Sequence, residues 1–230
     1  MKRFILFLFL AASSLSLQSQ KTFGGSGYFE VGIQTLDVDP LNNFINTFGY
    51  DDLQGANITI GGGGHFVVKD FILGGRGGFI GQDGVQNQDF RLDYGGGFGQ
   101  FYFGYKVIRS GGWFVFPEVG VGFIGSGIDI RPRYADANLE EVMSNPDAFN
   151  DAGVSLGSFG GLYSVQVNAQ YFFKQKENAS YGGMLGLSIG YRLATNGDWE
   201  NAGGTSFNAT PDFQPGGFFA SLTIGGGYLN

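Results

Sequence analysis

The chain has 230 residues, of which 43 are glycine and 17% aromatic, while charged residues make up 14% and the formal net charge is −7. A soluble domain carries about 25% charged residues and about 7% glycine, and these glycines follow no G-x-y period, so an ordinary soluble domain, a collagen and a disordered chain all fit poorly. The absence of cysteine excludes a disulfide scaffold, a thiolate metal site and a lipoprotein anchor, and a single histidine leaves little for metal or triad chemistry.

Met1-Lys2-Arg3 is a short basic start, Phe4 to Leu10 with Ala11-Ala12 an apolar run, and Ser13 to Gln20 a small and polar tail. That order is a secretory signal peptide, and its apolar stretch is shorter than the roughly 20 residues a membrane helix needs. Cleavage after Ser16 or Ser19 both suit the sequence. We therefore expect residues 1–19 to be removed and residues 20–230 to form one exported domain. Loss of Lys2 and Arg3 leaves 11 basic against 20 acidic residues.

Eight runs then alternate with a period of two, the mark of half-buried strands. They cover about 23–35, 54–68, 71–82, 90–106, 113–130, 154–173, 181–194 and 216–230. In the first, Phe23, Phe29, Val31 and Ile33 oppose Ser26, Tyr28, Glu30 and Gln34. In the second, Ile58, Ile60, Phe66 and Val68 oppose Asn57, Thr59 and His65. Phe71, Leu73 and Phe79 oppose Arg76 in the third. The fourth sets Leu92, Tyr94 and Phe98 against Arg91 and Asp93. The remaining four set valine, leucine, isoleucine and aromatic residues against Glu118, Gln166, Asn168, Ser188, Arg192, Ser221 and Thr223.

Shorter and longer links alternate, although the seven residues of 83–89 equal the seven of Lys174 to Ser180. Lys69-Asp70, Val107 to Gly112 and Lys174 to Ser180 are short, whereas 36–53, 83–89, 131–153 and 195–215 are long. Sorting of this kind suits a transmembrane barrel with short turns on the periplasmic side and long loops outside. Phe66, Phe71, Tyr105, Trp113, Tyr171, Phe173, Tyr181 and Tyr228 fall near the short turns, where an aromatic girdle would meet the membrane–water boundary. The pattern resembles the small eight-stranded outer-membrane barrels of the OmpA and OmpX type. That resemblance implies an all-β, antiparallel, up-and-down transmembrane barrel in a Gram-negative outer membrane, inserted by the barrel-assembly machinery. The last run departs from the family by ending Tyr228-Leu229-Asn230 instead of on an aromatic residue. No periplasmic domain is expected after it.

With the polar faces inward, Glu30, Arg76, Arg91, Asp93, Glu118 and Arg192 form the expected lumen network, paired because a lone buried charge is costly. A narrow gated pore with Arg76 as the moving element is the alternative. Gly62, Gly64, Gly75, Gly77 and Gly96 would make a smooth outward strip on which a second outer-membrane protein could dock, with strand curvature as the competing explanation. In loop one, Asp39 caps and Pro40 starts a helix whose Leu41, Phe44, Ile45 and Phe48 share a face that needs cover from another loop, lipid or a partner. Asp136 starts a second short helix in loop three, through Leu139 to Met143. The acidic loops face lipopolysaccharide, and the negative charge disfavours nucleic acid. His65 has no serine within two residues, so a lipid-modifying hydrolase is the rival reading and a non-enzymatic structural or interaction role the main one. No cofactor or metal is expected.

Overall fold

A computed structural model describes residues 23–133, 153–174, 181–195, 197–201, 203–206 and 213–229. Eight strands make the body: β1 (Phe23–Thr35), β2 (Ala56–Val68), β3 (Phe71–Gly81), β4 (Phe90–Tyr105), β5 (Trp113–Pro132), β6 (Val154–Lys174), β7 (Tyr181–Ala194) and β8 (Gly217–Leu229). Each pairs antiparallel with its neighbours in sequence. β8 returns to β1, with Gly24 opposite Leu229 and Gln34 opposite Phe219. The sheet is a closed eight-stranded antiparallel barrel, and closure removes the bare edges that a free sheet would expose.

Connections set which end is which. Between β2 and β3 stand two residues, Lys69 and Asp70, with Lys69 in the left-handed region at φ 57°. The first and last described strand ends, Phe23 beside Val68 and Gly24 beside Leu229, lie at the same end as this turn. At the opposite end β5 and β6 run to 20 and 21 residues. A tilted strand crosses hydrocarbon in about 9–11 residues, so these two project well past the apolar band.

The outer wall is apolar. Phe29, Val31, Ile60, Phe79, Phe101, Val121, Val165, Leu187, Ile189, Leu222 and Ile224 all point out, with Phe79 and Phe101 exposed to 76% and 77%. Soluble monomers rarely show contiguous apolar patches above a few hundred Å². In hydrocarbon the same surface costs nothing, and the closed ladder leaves no strand edge for lipid to desolvate.

Inside, the barrel has two levels. Toward the long loops lies an apolar plug that includes Leu36, Leu41, Ile45, Leu53, Ile80, Leu92, Tyr94, Phe98, Ile124, Leu162, Trp199 and Phe213. Helix α1 (Asp39–Ile45) drops Leu41 and Ile45 into it, and both are almost fully buried. Asn42 pins the helix by donating from Nδ2 to Leu53 O at 3.0 Å and accepting from Leu53 N at 2.8 Å. Asp39 is not the cap that the sequence suggests. The helix begins one residue earlier, Val38 holds the capping position, and no side chain caps it. A turn at Asn46–Phe48 follows and ends on Gly49 at φ 77°, a conformation that glycine adopts without strain. The second expected helix, from Asp136, lies outside the described residues, as does the signal segment 1–19.

Candidate functional site: the barrel lumen

Below the plug the lumen is polar, because successive strands turn their hydrophilic positions to one axis. Four charges meet there. Arg76 on β3 pairs with Glu118 on β5 and lies 3.8 Å from Glu30 on β1, while Arg192 on β7 lies 3.9 Å from the other oxygen of Glu30. Two guanidiniums and two carboxylates thus share one low-dielectric space, and their formal charges cancel.

Hydrogen bonds fix the quartet. Arg76 Nη1 donates to Gln166 Oε1 at 3.0 Å, and Asn168 Nδ2 donates to Glu118 Oε2 at 2.9 Å. Gln166 Nε2 and Ser188 Oγ both donate to Asn168 Oδ1 at 2.7 Å. Arg192 Nη1 donates to Gln34 Oε1 at 2.6 Å, and Gln34 Nε2 passes the chain on to Pro215 O at 3.1 Å. Aromatic faces complete the cage. Arg76 lies 4.3 Å from the Tyr102 ring, and Arg192 sits between Phe98 and Phe219 at 4.0 and 4.2 Å. Such cation–π contacts gain strength away from water. Arg192 is therefore the joint between the polar level and the apolar plug, since Phe98 belongs to the latter.

Toward the short turns, a second cluster closes the floor. Ser26 stands directly across the β1–β2 ladder from His65. Its Oγ is 3.0 Å from His65 Nε2, His65 Nδ1 is 3.3 Å from the Tyr102 hydroxyl, and that hydroxyl is 3.0 Å from the hydroxyl of Tyr28. Gly74 makes this possible, because a Cβ there would lie 2.3 Å from the Tyr102 ring. Ser26 escaped the sequence reading since it is 39 residues from His65; only strand register brings them together.

Of the six residues expected in the lumen, Glu30, Arg76, Glu118 and Arg192 come together there, and Arg91 and Asp93 do not. These two point outward near the long-loop end and pair with each other at 2.8 Å, with Arg91 more than half exposed. Leu92 and Tyr94 take the inward positions. The inversion has a physical cause. At that height the filling is apolar and the outside is water, so the polar-inward rule of the membrane band no longer holds.

The glycine strip is also corrected at one position. Gly62, Gly64, Gly75 and Gly77 lie on the outward side of their strands, in step with Ile60, Phe66, Leu73 and Phe79, but Gly96 shares the inward side with Tyr94 and Phe98. The register extends the strip the other way. Gly183, Gly226, Gly27, Gly64 and Gly75 are successive partners across five strands, a glycine belt on the outer wall that the Phe173 ring covers at Gly183. In loop one, Leu41 and Ile45 are covered by the plug, whereas Phe44 and Phe48 stay exposed with their rings 5.4 Å apart.

The eight expected girdle rings ring the short-turn end, with Phe71 against Tyr105 at 5.4 Å, Trp113 against Tyr171 at 5.1 Å and Tyr171 against Phe173 at 6.4 Å. Tyr228 packs on Phe23 at 6.0 Å and lies opposite Tyr181; Phe66 is two-thirds exposed.

A closed cylinder with an apolar wall, a filled lumen and an aromatic belt near its short turns defines the class: a closed eight-stranded antiparallel transmembrane β-barrel. No family model and no curated protein sequence matches the chain. Among solved structures, it is similar to Neisserial surface protein A, with 8% identity, a TM-score of 0.39, and coverage of 92% of this chain and 98% of that one. Ail, the attachment invasion locus protein of Yersinia pestis, gives 8% identity and a TM-score of 0.41 over 93% and 100%. The outer membrane protease OmpT from Escherichia coli gives 10% and 0.42 over 94% and 100%.

Proposed function

We propose that the chain is a non-enzymatic integral protein of a Gram-negative outer membrane, a closed barrel that displays its long loops outside and serves as an accessory subunit of a larger outer-membrane complex. The observation that carries this reading is the filled lumen. The polar quartet and the apolar plug fill it at two successive heights, and the cavities at its two ends are small, about 20 and 10 Å³. Binding at the surface is then the remaining role. The belt of outward glycines offers another membrane protein close approach to the backbone, and Phe44 with Phe48 offers an aromatic contact above the mouth. Lipid and lipopolysaccharide surround the wall in this reading, and the acidic loops face the latter. Gentle purification from native membranes, combined with crosslinking from position 75, tests it. Capture of a defined outer-membrane protein is expected; capture of lipid alone would remove the docking face.

A second reading rests on the Ser26–His65 pair, a serine and an imidazole at the distance that general-base activation requires. A lipid-modifying hydrolase would label at Ser26 with a fluorophosphonate and lose labelling in Ser26→Ala. Both residues turn into the packed lumen, away from the outer wall where lipid would lie, which favours the non-enzymatic reading.

A further inference from the structure

Lys106 follows the last residue of β4 and turns back over the short-turn end of the lumen, tied through its backbone N–H to Asp70 O at 2.8 Å. Its side chain is only 6% exposed, and its Nζ, buried from solvent, has no hydrogen-bond partner. The face of Phe114 lies 5.4 Å away and supplies partial compensation, but no protein acceptor meets its three N–H donors. An unpaired ammonium in such a place is costly. Lys106 lines the half-open 20 Å³ cavity together with Ser26, His65 and Gln170, and rings including Phe116 and Phe172 complete the wall.

We propose that this vestibule binds one monatomic anion of halide size, with Lys106 Nζ as its counter-ion. Charge, size and lining all point the same way. Around the ammonium, Arg109 adds a second positive charge and Asp70 a single negative one, so the local field favours an anion. The cavity is small, so a single chloride or bromide ion suits it better than a phosphate or carboxylate, which brings several oxygens. Ser26 can add a hydroxyl donor when His65 Nε2 carries the ring hydrogen and donates to Ser26 Oγ, and aromatic edges carry the positive side of the ring quadrupole. Burial, with Arg109 beside it, holds the Lys106 ammonium down at about 8 against the opposing pull of Asp70. A bound anion would raise that value.

The experiment uses the mature chain refolded in detergent. Crystals grown in bromide should show an anomalous peak within hydrogen-bonding reach of Lys106 Nζ, absent in Lys106→Met. In solution, the unfolding midpoint of the native chain should rise with bromide or chloride over gluconate at equal ionic strength, and phosphate should not reproduce the rise. Halide titration of the native chain should also shift the Lys106 Nζ nitrogen resonance, which keeps the test decisive where Lys106→Met does not fold. A missing peak, a peak that survives Lys106→Met, or a crystal peak without any solution response (an adventitious ion only) would overturn the proposal.

Discussion

Arg76 shows how an eight-stranded lumen can hold charge. It touches Glu118, Glu30, Gln166 and Tyr102, which come from four other strands. Arg76→Ala should therefore leave Glu118 unpaired and Glu30 facing Arg192 alone, at a cost of about 3–5 kcal/mol. Urea unfolding in detergent micelles measures this. Arg76→Met combined with Glu118→Leu should recover much of the loss, because the pair as a whole contributes far less than breaking it costs. A double variant no more stable than Arg76→Ala would show that Glu118 is not the main partner. The sequence discloses Arg76 as an inward charge, since it is the polar residue on the inward face of an otherwise glycine-rich run. It does not disclose Ser26 as the neighbour of His65, nor Arg91 and Asp93 as outward. Alternation divides a strand into two faces without saying which is wet, and above the membrane band the answer reverses.

At the scale of elements, the strands were legible because period-two alternation persists through every run, and the long links were legible because most acidic residues collect in them. Helix α1 was legible as an amphipathic turn, but its covering was not. Of the four apolar residues on α1 and the turn after it, Leu41 and Ile45 plug the mouth while Phe44 and Phe48 remain outside, and the plug they join includes Phe213, far away in sequence. Two turns carry predictions. Lys69 sits at positive φ, where an L-residue is strained and asparagine is tolerated, so Lys69→Asn should stabilise by about 0.5–1 kcal/mol in the same urea assay. Lys106 should give a pH signature in halide-free buffer. Its folded value of about 8 lies below the ordinary 10.5, so between these limits the unfolded chain binds more protons and stability rises with pH. Lys106→Met should abolish the rise, and added halide should flatten it by moving the folded value upward.

At the scale of the whole molecule, the two filling levels act in series. Planar-bilayer recordings of the native chain should be silent, and Arg76→Ala alone should stay silent too, because the apolar plug above it is untouched. Clipping loop one so that Leu41 and Ile45 leave the mouth, in the Arg76→Ala background, is the change expected to admit ions; steady conductance from the native chain would contradict the closed-barrel reading. The wall likewise requires detergent or lipid for solubility, which alkaline carbonate extraction of envelopes checks. The pairing of β1 with β8 has a further consequence. Seven of the eight seams join neighbours in sequence and can zip as hairpins, while this one joins residue 24 to residue 229. Until the final strand arrives, the ribbon has two unpaired margins and no inside, so the cylinder cannot exist before residue 229 is in place.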